Sequence, residues 1–297
     1  MTNPFGINLS FAVKRWVEPE IWAALLREEL EIELVQMSFD MLDPWWPEEL
    51  TLPLARRIRH ACEAQGLQLH SSFVGLSAYS YNGLLHPEVE GRKAALQWWE
   101  RAIHLAAEMG APAVGGPLGG MSVTQFQTMG MKEARYQDML EAIAHLSSLA
   151  KAQGLQSLLI EPTPLEREML WTTEAASKLL QDLDGKTDLP VRYTLDMGHM
   201  LYQPLYGATA RPDTWLELGS AIGLIHLQQT DGQSDSHWGF SREGIVDVAQ
   251  LSEQLQAASL SELPLILEVF YPFELSDAQV LEDIKHSVQH CQAMLAS

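Results

Sequence analysis

Eight short apolar runs, rich in β-branched residues, alternate along this chain with eight longer segments of helical period, a rhythm that few architectures accommodate. The runs are Phe5 to Leu9, Ile32 to Phe39, Leu67 to Phe73, Ala113 to Pro117, Ser157 to Glu161, Val191 to Asp196, Leu224 to Gln228 and Leu265 to Phe270. Between and after them lie EIWAALLREEL, LARRIRHACEAQG, GRKAALQWWERAIHLAAEMG, YQDMLEAIAHLSSLAKAQG, TTEAASKLLQDL, PDTWLELGSAI, VDVAQLSEQLQAASL and SDAQVLEDIKHSVQHCQAMLA, which carry helix signals. Gly66, Gly110 and Gly154 each stand where a left-handed cap returns the chain to the sheet. Strict alternation of strand and helix demands right-handed crossovers onto a parallel sheet. Spread over eight units, 297 residues leave about 37 for each, so the predicted fold is α/β, a closed (β/α)8 TIM barrel filling residues 1–297 as a single domain.

An open, doubly wound sheet would bring a glycine-rich phosphate loop after an early strand. The glycine cluster here, Gly115, Gly116, Gly119 and Gly120, follows the fourth strand and matches neither GxGxxG nor a Walker loop. It is read as a close-packed strand end. No linker or low-complexity tract divides the chain.

Charge narrows the partners. With 39 acidic and 19 basic side chains the formal net charge is −20, which repels phosphate polymers and anionic membranes. A small molecule is therefore expected, with no nucleic acid and no membrane, and association into a homo-oligomer is left open. No apolar stretch reaches the about 18 residues of a membrane span, and MTNPFGINLS lacks the basic and apolar regions of a secretory signal. Cys62 and Cys291 lie far apart without CxxC spacing, which suggests no thiolate metal site or disulfide and agrees with a cytoplasmic location.

Catalytic groups of a (β/α) barrel project from the carboxyl ends of its strands. At those positions the chain carries His70 (LQLHSSF), Glu161 (LLIEPTP), Asp196 and His199 (TLDMGHM), His226 (IHLQQTD), Asp235 and His237 (SDSHWGF) and Glu268 (LILEVF). Singly, each has an ordinary explanation, since strand-end acids cap helices and lone histidines sit satisfied in cores. Jointly they do not. Glu161, Asp196, His226 and Glu268 come from four successive strands and converge on the axis, where four polar groups must find partners. One divalent cation satisfies them together, and one imidazole with three carboxylates favours Mn²⁺, with Mg²⁺, Co²⁺ and Zn²⁺ as alternatives.

With Glu161 in the fifth strand, Asp196-x-x-His199 in the sixth, His226 in the seventh and Glu268 in the eighth, the chain resembles the xylose isomerase-like barrel superfamily, near the ketose 3-epimerases and sugar-phosphate isomerases. The resemblance spans essentially the whole chain. It implies that Glu161, Asp196, His226 and Glu268 bind the metal while His199 contacts substrate. Asp235-x-His237, followed by Gly244 and taken with His70, is also similar to the endonuclease IV branch and its three-zinc site. That branch has a further histidine in the fourth strand, where this chain has Ala113, Val114, Gly115 and Gly116.

The expected activity is a metal-dependent isomerisation or epimerisation of a small ketose or ketose phosphate by proton transfer through a metal-stabilised enediolate. Glu161 and Glu268 would act as the two bases, with His70, His199, Asp235 and His237 around the substrate. Arg242 is the candidate for holding a hydroxyl or phosphate, and Trp45 and Trp238 for an apolar rim that excludes water. Alternatives are a sugar lyase or dehydratase on the same barrel, and abasic-site DNA repair of the endonuclease IV type.

Overall fold

Parallel strands covered on both faces should be buried along most of their length, and those of this chain are. In the computed structural model, which describes residues 3–207 and 211–296, eight strands pair in sequence order and close into a barrel. They are β1 (Phe5–Asn8), β2 (Leu34–Ser38), β3 (Gln68–Phe73), β4 (Ala113–Gly116), β5 (Ser157–Ile160), β6 (Val191–Asp196), β7 (Ile222–Leu227) and β8 (Leu265–Leu267). Closure is made by β1 against β8, with Phe5 opposite Leu265 and Ile7 opposite Leu267. The expected barrel is therefore present, with a helical segment after each strand.

Those segments are α1 (Pro19–Ala24), α2 (Glu48–Gln65), α3 (Val89–Met109), α4 (Met131–Ala152), α5 (Thr173–Leu183), α6 (Pro212–Leu216), α7 (Val248–Ala257) and α8 (Asp277–Leu295). Side chains begin several of them. Thr172 accepts from the Ala175 N–H, Asp247 from that of Gln250, and Ser276 forms a capping box with Gln279. The three glycines expected as left-handed caps take φ of 67°, 83° and 87°. Two helices depart from the sequence reading. The second begins at Glu48, not Leu54, because Pro53 lies early enough to forfeit a single intrahelical bond, while Glu48 and Glu49 suit the positive helix start. The sixth stops at Leu216, and Gly219 opens a separate 3₁₀ turn (Gly219–Ala221).

By contacts the chain divides into two compact units, and β3 and β6 each have residues in both. The first comprises Met1–Met37, His60–Leu69 and Thr194–Ser297 and buries Ile7, Trp22, Leu26, Leu224, Leu265 and Ile284. The second comprises Ser38–Arg59 and His70–Tyr193 and buries Phe73, Leu85, Ile103, Ile143 and Tyr193, whose hydroxyl donates to the Ala176 carbonyl. Among the described residues no helix is long and apolar enough to cross a membrane. Cys62 and Cys291 are free and buried.

Candidate metal centre and its polar surround

The site is built from the residues that end the strands. Glu161 and Glu268 each lie one residue past theirs and still donate a backbone N–H, to Gly116 and Leu227 respectively, so the ladder hydrogen bonds aim both carboxylates. Asp196 closes β6 and caps the helical turn Met197–Met200 by accepting from the His199 N–H at 3.1 Å. His226 stands in β7. Glu161, Asp196, His226 and Glu268 are all buried, at 7%, 0%, 0% and 6% exposure, and each offers a donor atom within 4.8 Å of those of the others. Four such groups cannot share an apolar interior without a compensating charge.

Two details show that this donor set fits a cation. The Asp196 Oδ1 oxygen accepts from the His199 N–H and from Gln228 Nε2 at 2.7 Å, whereas Oδ2 is buried with no hydrogen-bond partner. A buried carboxylate oxygen without a donor is expensive unless a positive charge meets it. Second, Gln36 Oε1 accepts from His226 Nε2 at 2.7 Å and from Asn8 Nδ2 at 2.6 Å, which places the ring hydrogen of His226 on Nε2. Its Nδ1 lone pair then points at Glu268 Oε2, 2.9 Å away, and two electron-rich atoms stay that close only around a cation or a second ring proton. A ligating histidine held through its far nitrogen is the usual arrangement at metal sites. Burial alone would raise the Glu268 carboxyl, but His226 and His237, when they carry a second ring proton in place of a cation, outweigh burial and hold it below its ordinary range.

A second cluster joins His199, Asp235 and His237. Asp235 Oδ2 lies 3.1 Å from His199 Nε2, and Oδ1 lies 3.1 Å from His237 Nε2. Burial opposes charge on both partners. At Asp235 the two imidazoles override it and hold the carboxyl well below its ordinary range, and at His237 the Asp235 carboxylate overrides it and lifts the imidazole to about 9.

The remaining sequence candidates belong to neither cluster. His70, half-buried in β3, has Nδ1 3.0 Å from Ser71 Oγ. Trp238 is tied to Gln229 by a pair of backbone hydrogen bonds, and the exposed Arg242 lies over its ring at 5.2 Å. Trp45 is 42% exposed and carries Arg101 over its ring at 5.0 Å. The sequence reading passed over Asn8, Gln36 and Gln228. A signal existed: Asn8 and Gln36 are polar residues inside buried strands, and Gln228, two positions past His226, falls on the same side of the chain by strand alternation.

Residues 26–293 match the family described as xylose isomerase-like TIM barrel, and the chain belongs to that family. Among its relatives is a Rhodospirillum rubrum ATCC 11170 protein provisionally described as a xylose isomerase. The two are 39% identical, with 98% of this chain and 99% of that one covered and a TM-score of 0.95. The D-psicose 3-epimerase of Clostridium cellulolyticum H10, solved with D-tagatose, shares the fold at a TM-score of 0.74 and 14% identity, covering 99% of both chains. D-erythrulose 1-phosphate 3-epimerase of Brucella abortus (strain 2308) is 20% identical over 295 residues, covering 97% of this chain and 95% of that protein.

Proposed function

We propose that this protein is a divalent-metal-dependent isomerase or epimerase of a small ketose or ketose phosphate, working by proton transfer next to the carbonyl. The observation that carries the reading is the buried set Glu161, Asp196, His226 and Glu268, with one Asp196 oxygen lacking any hydrogen-bond donor. Kinship with a family whose relatives include ketose 3-epimerases supports the substrate class. Three carboxylates and one imidazole favour Mn²⁺ among the hard and borderline divalent ions.

A bound divalent ion supplies electrostatic stabilisation of negative charge developing on substrate oxygens. The protein's own residues do the rest. Glu161 and Glu268 are the two bases, one removing the proton alpha to the carbonyl to leave an enediolate and the other returning a proton to the opposite face for epimerisation or to the adjacent carbon for isomerisation. His199, Asp235 and His237, held to one another, are the proposed group facing the substrate, and His70 is a further candidate for that role. Trp45 and Trp238 are the proposed apolar rim, and Arg242 the anchor for a hydroxyl or phosphate.

In D₂O the Mn²⁺-loaded protein is expected to place deuterium at the carbon beside the carbonyl of the correct ketose. Glu161→Gln and Glu268→Gln each abolish net turnover, while one of them retains exchange on the face served by the surviving base. Turnover with full retention of the substrate hydrogen, followed by mass spectrometry, would rule this scheme out in favour of a hydride shift. The His199, Asp235 and His237 cluster favours a second reading, abasic-site DNA cleavage with more than one metal. Against it stand a net charge of −20 and a fourth strand, AVGG, that offers no ligand. Salt-sensitive cleavage of an abasic duplex would establish it.

A further inference from the structure

Two clusters of ionisable groups meet at one uncharged side chain. Gln228 is fully buried, and its amide has a single workable orientation. Nε2 donates one hydrogen to Asp196 Oδ1 at 2.7 Å and the other to Asp235 Oδ1 at 2.9 Å, while Oε1 accepts the His237 backbone N–H. Turned over, the amide would set its oxygen against two carboxylates. It is also braced from below, since a Cβ on Gly198 would lie 2.6 Å from both Cδ and Nε2 of Gln228. The backbone it grips at His237 sits at φ 46°, where a bulky side chain rarely stays without external restraint.

We infer that Gln228 is a positioning residue that locks Asp196 and Asp235 into one unit, so that the free oxygen of Asp196 is aimed at the metal and the His199, Asp235 and His237 group is held in register with it. The inference rests on the proposed role of Asp196 as a ligand. Its physical basis is the assignment of donors. Gln228 and the His199 N–H together occupy Oδ1, which leaves Oδ2 as the oxygen available to a cation. Without the amide, the Asp196 carboxylate keeps only the His199 N–H as a tether, and Asp235 loses its tie to the cage. Residues that hold ligands in this way ordinarily matter about 10- to 100-fold in metal affinity.

The test is titration calorimetry of the metal-depleted full chain with Mn²⁺ alone, no sugar present. Gln228→Met keeps the length of the side chain and removes both donors, and it is expected to raise the Mn²⁺ dissociation constant roughly 10- to 100-fold with a native circular dichroism spectrum. Gly198→Ala displaces the same amide without altering its chemistry and is expected to act in the same direction, so a Met variant that fails to fold leaves the question answerable. Asp235→Ala should weaken Mn²⁺ binding in the native background and lose at least half of that effect in the Gln228→Met background. A folded Gln228→Met protein that binds within twofold of native, or strictly additive effects, would overturn the inference while leaving the metal centre intact. A native chain that binds no Mn²⁺ overturns both. A chain whose Mn²⁺ binding depends on Gln228 as expected, yet turns over no ketose, would sink the isomerase reading alone.

Discussion

Asp235 sits between two imidazoles, and that position makes the site's charge depend on pH in a definite direction. The His237 imidazole in the folded protein is lifted to about 9 from its ordinary 6.5, so its stabilisation is complete below about 6.5 and disappears as pH rises through about 9. Asp235 is depressed, so its share is present above the ordinary carboxylate value and is lost as pH falls through its lowered one. In metal-free protein, His237→Gln is therefore expected to lower Tm most near about pH 6, with the difference fading by about pH 10. Thermal melts of both proteins across that range check this, and a constant gap would show that the pair contributes nothing through charge. The Asp235-x-His237 spacing was visible in the chain, whereas the pairing of Asp235 with His199 required the loop after β7 to fold back on the turn after β6.

Strand β4 shows what a single element demands of its sequence. Gly115 pairs with Leu159 of β5, and a Cβ there would stand 2.3 Å from the Leu159 Cβ and 2.6 Å from its carbonyl oxygen. The reading of this glycine cluster as a close-packed strand end follows from contacts of that kind. Because the obstruction includes backbone, Gly115→Ala is expected to destabilise the fold by roughly 1–3 kcal/mol, as overpacking does in tight cores. Denaturant titration measures it, and a loss below about 0.5 kcal/mol would mean that the strands move apart more easily than their register implies. Element boundaries were less legible than element identity. Strand β8, read from the sequence as running to Phe270, ends at Leu267: the Glu268 N–H still donates to Leu227 of β7, but the Phe270 N–H donates to the His237 carbonyl in the loop after β7.

At the scale of the molecule, a chain of net charge −20 that also gathers three carboxylates inside its barrel stores repulsion that a cation relieves. Removal of metal by chelation is expected to lower Tm. Mn²⁺ supplied at about 100 times its dissociation constant should restore on the order of 2.7 kcal/mol, the linkage expected of one site. Elemental analysis should find about one ion per chain. Glu161→Gln with Asp196→Asn should abolish both the ion and the thermal shift. Full metal content in that double variant would refute the ligand set, and a stoichiometry near three would shift the argument toward nucleic-acid chemistry.

By itself the sequence determined the barrel, because strand and helix periods are local properties repeated eight times and few topologies accept them. It also determined which residue types reach the strand ends, since Glu161, Asp196, His226 and Glu268 sit at fixed offsets within their runs. Only tertiary structure decided how those residues are held. Gln36 meets His226 across 190 positions of chain, Asn8 meets Gln36 across 28, and Gln228 reaches Asp196 across 32. Such partners are neutral, carry no charge pattern and recur at no period, so the one-dimensional chain marks them only as polar residues among apolar strand positions, without saying what they meet. They become recognisable when the closed barrel buries them beside ionisable groups, where every hydrogen must have an acceptor and every unmatched oxygen asks for a cation.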